Sequence, residues 1–273
     1  MANPEISDLQ ALLALAAAAR VYDLEHPRRI GDPIFPAHWP GYVYTLHRRH
    51  EPGLERRTSA SALILQAEHS GTHIDALCHQ AEDLHLHGGV QVTAQVQGPQ
   101  GFTELGVDSI APVFRRGVLL DVAGYRRSAV PLDDQIQSDE LDEVAAAQGV
   151  EVRAGDVALV RTGNGRRWSE AEAYLRGCGM ARSASEWMAS RGVFAVGADL
   201  VAWDMPGVRD PELGTTLPGH LLLLVRAGIH IVENLYLEEL AADGVREFLF
   251  VCLPLKYTGA TGSPVRPVAV VPA

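Results

Sequence analysis

Gly117-Val118-Leu119-Leu120-Asp121-Val122 opens on a glycine and runs through branched and leucine side chains, the pattern of a buried strand. Downstream, Ser138 is placed to cap a helix with Asp139 and Glu140 in its first turn. That helix carries Leu141, Val144 and Ala145 and stops at Gly149. Asp156 to Thr162 predicts a second strand, ending in the loop Gly163-Asn164-Gly165. A second helix starts near Ser183, carries Trp187 and Met188, and ends at Gly192 ahead of a strand from Val193 to Gly197. Phe248 to Leu255 reads as a long strand, Gly259 to Pro264 as a turn and Val268 to Val271 as the final strand. Strands outnumber helices and lie close together, so regular βαβ winding is not expected. The fold class is α/β: one domain with a mixed β-sheet or barrel-like core and helices packed outside.

The chain has 273 residues, 47% hydrophobic and 21% charged, which excludes wholesale disorder and allows a substantial core without covalent staples. Its three cysteines (Cys78, Cys178, Cys252) are odd in number and widely spaced. They exclude a disulfide framework and a four-thiolate zinc finger and suit a reducing cytoplasm. With 23 Lys+Arg against 34 Asp+Glu, the net charge of −11 repels phosphate backbones and anionic lipid, so neither nucleic acid nor membrane is expected as a partner. No run reaches the roughly 18–20 apolar residues of a membrane span. The apolar run Leu12 to Ala19 follows Glu5 and Asp8 in place of a basic region, and Arg20 sits where a leader's small cleavage residues belong. Leu9, Leu12, Leu13 and Ala16 share one helical stripe. Residues 1–21 are therefore read as a helical extension and 22–273 as the main domain, in the cytoplasm.

The chemistry is concentrated in His69-Ser70-Gly71-Thr72-His73-Ile74-Asp75-Ala76-Leu77-Cys78-His79. Imidazole nitrogen and carboxylate oxygen together suit a borderline divalent cation such as Zn²⁺ or Mn²⁺. A helix would split the group, and Gly71 and Thr72 are poor helix interior. On an extended strand the offsets of 4, 6 and 10 are all even, so His69, His73, Asp75 and His79 project to one side, with Gly71 allowing a kink. The competing reading is a solvated polar face; against it, burying four such groups without a partner costs several kcal/mol.

This segment resembles the HxGTHxDxxxH signature of the metal-dependent cyclase family, which includes bacterial kynurenine formamidase and isatin hydrolase. Gly117 to Ala123, Gly155 to Gly163, Gly192 to Asp199, His220 to Leu235 and Leu253 to Pro267 resemble further family blocks in the same order, so the likeness runs from about Tyr22 to the C-terminus. The resemblance implies that His69, His73 and Asp75 are metal ligands and that His79 is the catalytic acid/base. In dinuclear members a second His and a Glu come from later in the chain, and His220 and Glu233 occupy those positions. Glu233 could instead sit ahead of a helix over Leu235 to Leu240, and His220 has a rival in His230, which is expected to face outward. His85 and His87 are expected on a surface loop. Leu77 stands where many members have proline, and Cys78 replaces the usual residue before the last histidine; both are expected to alter the pocket wall.

One or two ions at such a site would acidify a water whose hydroxide attacks an acyl carbon, with His79 moving the proton. The resemblance thus implies hydrolysis of a small amide, formamide or lactam. The alternatives are a cyclase or dehydratase acting on a polyketide- or sugar-derived molecule, and a non-catalytic metal- or ligand-binding relative. No Gly-Xaa-Ser-Xaa-Gly elbow or Walker loop is present. A Cys78–His79 nucleophile pair is disfavoured, because neighbouring strand residues point to opposite faces. Pro33-Ile34-Phe35-Pro36-Ala37-His38-Trp39-Pro40 is either a surface anchor or a lid, with Phe35 and Trp39 the candidates for substrate contact. Relatives commonly form dimers or tetramers, and a homo-oligomer is expected.

Overall fold

The computed structural model describes residues 6–53 and 55–272. The elements that matter here are α1 (Ile6–Ala18), β1 (Arg20–Asp23), β2 (Val43–Arg48), β3 (Ser61–Leu65), β4 (His73–Asp75), β5 (Val113–Asp121), α2 (Ser138–Gln148), β6 (Val157–Arg161), α3 (Arg182–Arg191), β7 (Ala195–Ala198), α4 (Pro218–His220), β8 (His230–Glu233), β9 (Glu247–Cys252), β10 (Gly262–Pro264) and β11 (Val268–Val271). The helix α4 runs on as a π-helix through Leu221–Ala227.

Nine strands form one curled sheet in the order β1-β11-β9-β5-β6-β7-β8-β4-β10. The sheet is mixed, as expected. The expectation against βαβ winding is overturned: β5, β6, β7 and β8 are parallel neighbours, joined by helical crossovers through α2, α3 and α4. Parallel strands must cross over; α2 and α3 are helices that the sequence announces, but the link after β7 runs through the three-residue α4 and a π-helix, which give no clean helical period.

Strand alternation divides the core. Val118, Leu120, Ala158 and Val160 face one side, where Leu141, Val144, Trp187, Met188 and Leu224 cover them. Leu119, Val157 and Leu159 face the other, packing with Leu24, Ile74, Leu235 and Phe250. All five residues of β6 are buried, which is why its first four are apolar and Arg161 at its end is paired with Asp121 and Glu238.

Local boundaries differ from expectation in physical detail. The N-cap of α2 is the extended Gln137, and the Ser138 amide donates to Ser183 Oγ instead. The strand expected to reach Leu255 ends at Cys252, where pairing with β5 stops at Val113. Arg20 and Val21 belong to the sheet, paired with Val271 and Val270. From Leu9 to Ala18, α1 is exposed on every side, so its leucine stripe has no partner within the described residues. No helix among the described residues is long and apolar enough to cross a membrane.

His26, following β1, is 4% exposed and stacks on Trp168 at 4.4 Å between ring centroids. Burial pushes its imidazole down to about 4 from an ordinary 6.5. A histidine that the fold keeps neutral binds protons more readily when unfolded. Its contribution is therefore complete above about pH 6.5 and is lost as pH falls toward about 4. Urea melts should give His26→Phe, which keeps the stack, a loss of stability between about pH 7 and about pH 4.5 that is smaller than wild type's by about 2 kcal/mol.

Candidate functional site

The eleven-residue motif is not one extended strand. Only His73–Asp75 pairs as β4, with turns on either side. Its residues nevertheless converge. His73 and Asp75 lie two apart and share a face, while Ile74 turns into the core. His69 is folded back over them by Gly71, whose φ of +59° is a left-handed conformation that a side chain would strain. A Cβ there would also lie 2.6 Å from Arg28 Nη1. Arg28 clamps this turn, its Nη1 donating to Ser70 O at 2.5 Å and its Nη2 to Thr72 O at 2.6 Å.

β4 is held antiparallel between β8 and β10, and the register sets Glu233 directly across from His73. Glu233 Oε2 lies 3.4 Å from His73 Nε2, and its Oε1 lies 3.3 Å from His220 Nε2. Oε1 also accepts from the Trp203 amide at 2.8 Å. Glu233 therefore closes a strand, and the helix-start reading does not describe it, since the next helix begins at Glu238. His230, at the other end of β8, is buried and not outward, with Nδ1 donating to Asp75 O at 2.9 Å. His85 is exposed on a loop as expected, and His87 is half-buried there.

The five residues His69, His73, Asp75, His220 and Glu233 are thus brought together and are all buried. His69 Nδ1 is 2.8 Å from Asp75 Oδ1, and His73 Nε2 is 3.5 Å from the same oxygen. His73 Nδ1 donates to Gly71 O at 2.8 Å, which leaves Nε2 with its lone pair toward the centre. Asp204 does the same for His220: its Oδ2 is 2.7 Å from His220 Nδ1 and it also accepts from the Gly219 and His220 amides. Asp75 Oδ2 is buried, 3.7 Å from His220 Nε2, and has no hydrogen-bond partner among the described residues.

An orphaned buried carboxylate oxygen surrounded by three imidazoles and a second carboxylate fits a borderline divalent cation. Without one, the site balances itself by protonation. Burial works against charging His73 and His220, but Glu233 with Asp75, and Asp204 with Glu233, outweigh it and raise both above the ordinary imidazole range. Burial likewise opposes ionising Asp75 and Glu233, yet the neighbouring imidazoles hold both down, Glu233 at about 2.

His79 sits beside this cluster, its ring 4.1 Å from that of His69 and 6.2 Å from that of His220. Burial pushes it down to about 3 against the pull of Asp75. Cys78 turns the other way into the core, where burial lifts its thiol to about 12, so a Cys–His pair is absent.

A cavity of about 950 Å³ opens over His69 and His79, walled by Trp39, Ile64, Leu65, Leu255 and Tyr257. Trp39, from the proline-rich loop, lines it. Phe35 does not: it packs with Leu217 against Trp168, Tyr174 and Val201. Leu77 and Cys78 also pack into the core and do not form the cavity wall, contrary to expectation.

Sequence reasoning missed three contributors. His38, one residue before Trp39, stacks on His69 at 4.6 Å, and burial beside His69 pushes it down to about 4. Asp204 carried no local signal. Thr261 lies in the turn before β10 and places its Oγ1 2.8 Å from His69 Nε2.

Comparison with known proteins gives consistent matches. The profile of a family described as "Putative cyclase" matches residues 22–205. The chain is similar to a kynurenine formamidase of Paracidovorax citrulli, 28% identical over 253 residues that cover 93% of this chain and 97% of that enzyme. It is also 28% identical to an isatin hydrolase of Roseibium aggregatum over 218 residues, 77% of this chain and 74% of that one. Among solved structures, one described as a novel cyclase superposes with a TM-score of 0.81 at 27% identity, covering 96% of this chain and 93% of the other.

Proposed function

Because the chain belongs to the cyclase family, we propose that it is a metal-dependent hydrolase of a small amide, formamide or lactam, acting on a non-peptide C–N bond. The observation that carries this reading is the buried donor set with its unpartnered Asp75 oxygen, next to an uncharged imidazole and under an open cavity. Relatives named for a formamide and a lactam support the bond type.

In this reading His69, His73 and Asp75 hold one divalent ion, Zn²⁺ or Mn²⁺, and His220 with Glu233 hold a second if two are bound. When bound, such an ion supplies Lewis acidity, lowering the pKa of a water and polarising a carbonyl. Asp204 and the Gly71 carbonyl orient His220 and His73 so that each presents Nε2. Among the described residues the His79 side chain makes no hydrogen bond, and burial keeps it uncharged at neutral pH. It accepts the proton of the attacking water and returns it to the leaving nitrogen. Trp39 forms the wall that a flat substrate meets, and Phe35 anchors that loop from behind.

We also propose a homo-oligomer. The β2–β3 ribbon is exposed along nearly its whole length, with Val43, Tyr44, Leu63, Ile64 and Leu65 in solvent, and a lone two-stranded ribbon is marginal in water. Three buried free cysteines support a reducing, cytoplasmic setting.

The experiment is metal analysis of the purified chain, paired with mass spectrometry of N-formylkynurenine, isatin and simple lactams after incubation. Uptake of one water with a new carboxylate is expected for at least one of them. Bound metal with every acyl substrate intact overturns the hydrolase reading, and a product formed without water uptake favours a cyclase or dehydratase.

A further inference from the structure

The cavity over the site is apolar and aromatic on most sides, and among the described residues no lysine or arginine lines it. One carboxylate does. Glu68, immediately before His69, has a side chain 31% exposed in that wall. Its Oε1 is pinned by the Thr261 amide, at 3.1 Å, and by the Thr261 hydroxyl. Its Oε2 makes no hydrogen bond among the described residues, so the carboxylate that lines the cavity is held in place by one oxygen and has the other unused.

A fixed acceptor in a partly desolvated wall favours a donor, most of all a charged one, and disfavours an anion. We propose that Glu68 selects substrates by charge: the amide or formamide taken here carries a cationic or N–H-bearing group at its non-reacting end, and a carboxylate there is rejected. This rests on the hydrolase reading above and adds a specificity-determining residue to it.

The test uses the metal-loaded full chain and three formanilides that share the reacting formamide but carry para-aminomethyl, para-hydroxymethyl or para-carboxymethyl groups. The expected kcat/KM for the cation lies about tenfold above the neutral compound, and for the anion about tenfold below it. Glu68→Gln keeps an oxygen that accepts from Thr261. It should compress the cation-to-anion ratio from about 100-fold to about threefold. The ratio is internal to each protein, so differences in folding or metal loading cancel. An unchanged ratio in Glu68→Gln, or preference for the anion in wild type, overturns the proposal while leaving the hydrolase reading standing. If none of the three is hydrolysed and the acyl panel above is also left intact, the hydrolase reading fails instead. Dissociation constants of the same compounds, measured by calorimetry, then decide the charge selectivity by the same ratios.

Discussion

Asp75→Asn should strip the protein of metal and lower kcat/KM by about 10³-fold or more. The substitution keeps the volume and the β4 backbone but removes the charge from a residue whose two oxygens face three histidines: Oδ1 toward His69 and His73, Oδ2 toward His220. An asparagine amide cannot replace it, because its NH₂ group would point a donor at a cation or at an imidazole lone pair. The direct readout is metal per chain by mass spectrometry. A second readout needs no substrate. A ligand at about 1,000 times its Kd stabilises the fold by about 4 kcal/mol, which for a chain of this size raises Tm by roughly 8–16 °C. Wild type should show that rise when Zn²⁺ or Mn²⁺ is added after chelation, and Asp75→Asn should shift by less than about 2 °C. Equal metal content and equal Tm shifts in the two proteins would place the ion elsewhere.

The second large effect separates chemistry from metal binding. His79→Ala should lower kcat by roughly 10²–10⁴-fold while metal content and the metal-induced rise in Tm stay at wild-type values. His79 borders the donor cluster by ring contact and makes no hydrogen bond to it among the described residues, so its removal leaves the donors in position. An interaction used only in the transition state lowers kcat and kcat/KM together. A loss confined to KM would make His79 a wall of the cavity, and a loss of metal would make it a ligand.

The short-range part of the site was legible because it is written contiguously: His69, His73, Asp75 and His79 lie within eleven residues, and the resemblance added His220 and Glu233. How these residues meet was not legible. Even spacing suggested a strand, whereas a left-handed Gly71 and a turn after Asp75 fold the segment around the centre. Asp204, Thr261 and His38 reach it only through tertiary placement, and nothing in their local sequence distinguishes them from ordinary loop residues. For the fold, the apolar runs at β5, β6 and β11 were plain, as were the glycine stops of α2 and α3. The parallel winding was missed because the crossover after β7 contains a π-helix and long irregular stretches, which leave no clean period of 3.6. His230 was misjudged for a related reason: alternation in Ile229-His230-Ile231 assigns opposite faces but cannot reveal that both faces of β8 are covered.

The position of β4 also bears on how the protein is made. Its two hydrogen-bonded neighbours, β8 and β10, come from about 160 and 190 residues further along. On the ribosome, the His69–Asp75 segment emerges early and stays without a strand partner until β8 has been synthesised, and without its second until β10 follows the turn carrying Thr261. Only then can the strand be clamped from both sides. A nascent chain stalled before residue 262 would hold all five candidate donors and the β4–β8 pairing but lack the strand that clamps β4 from its other side.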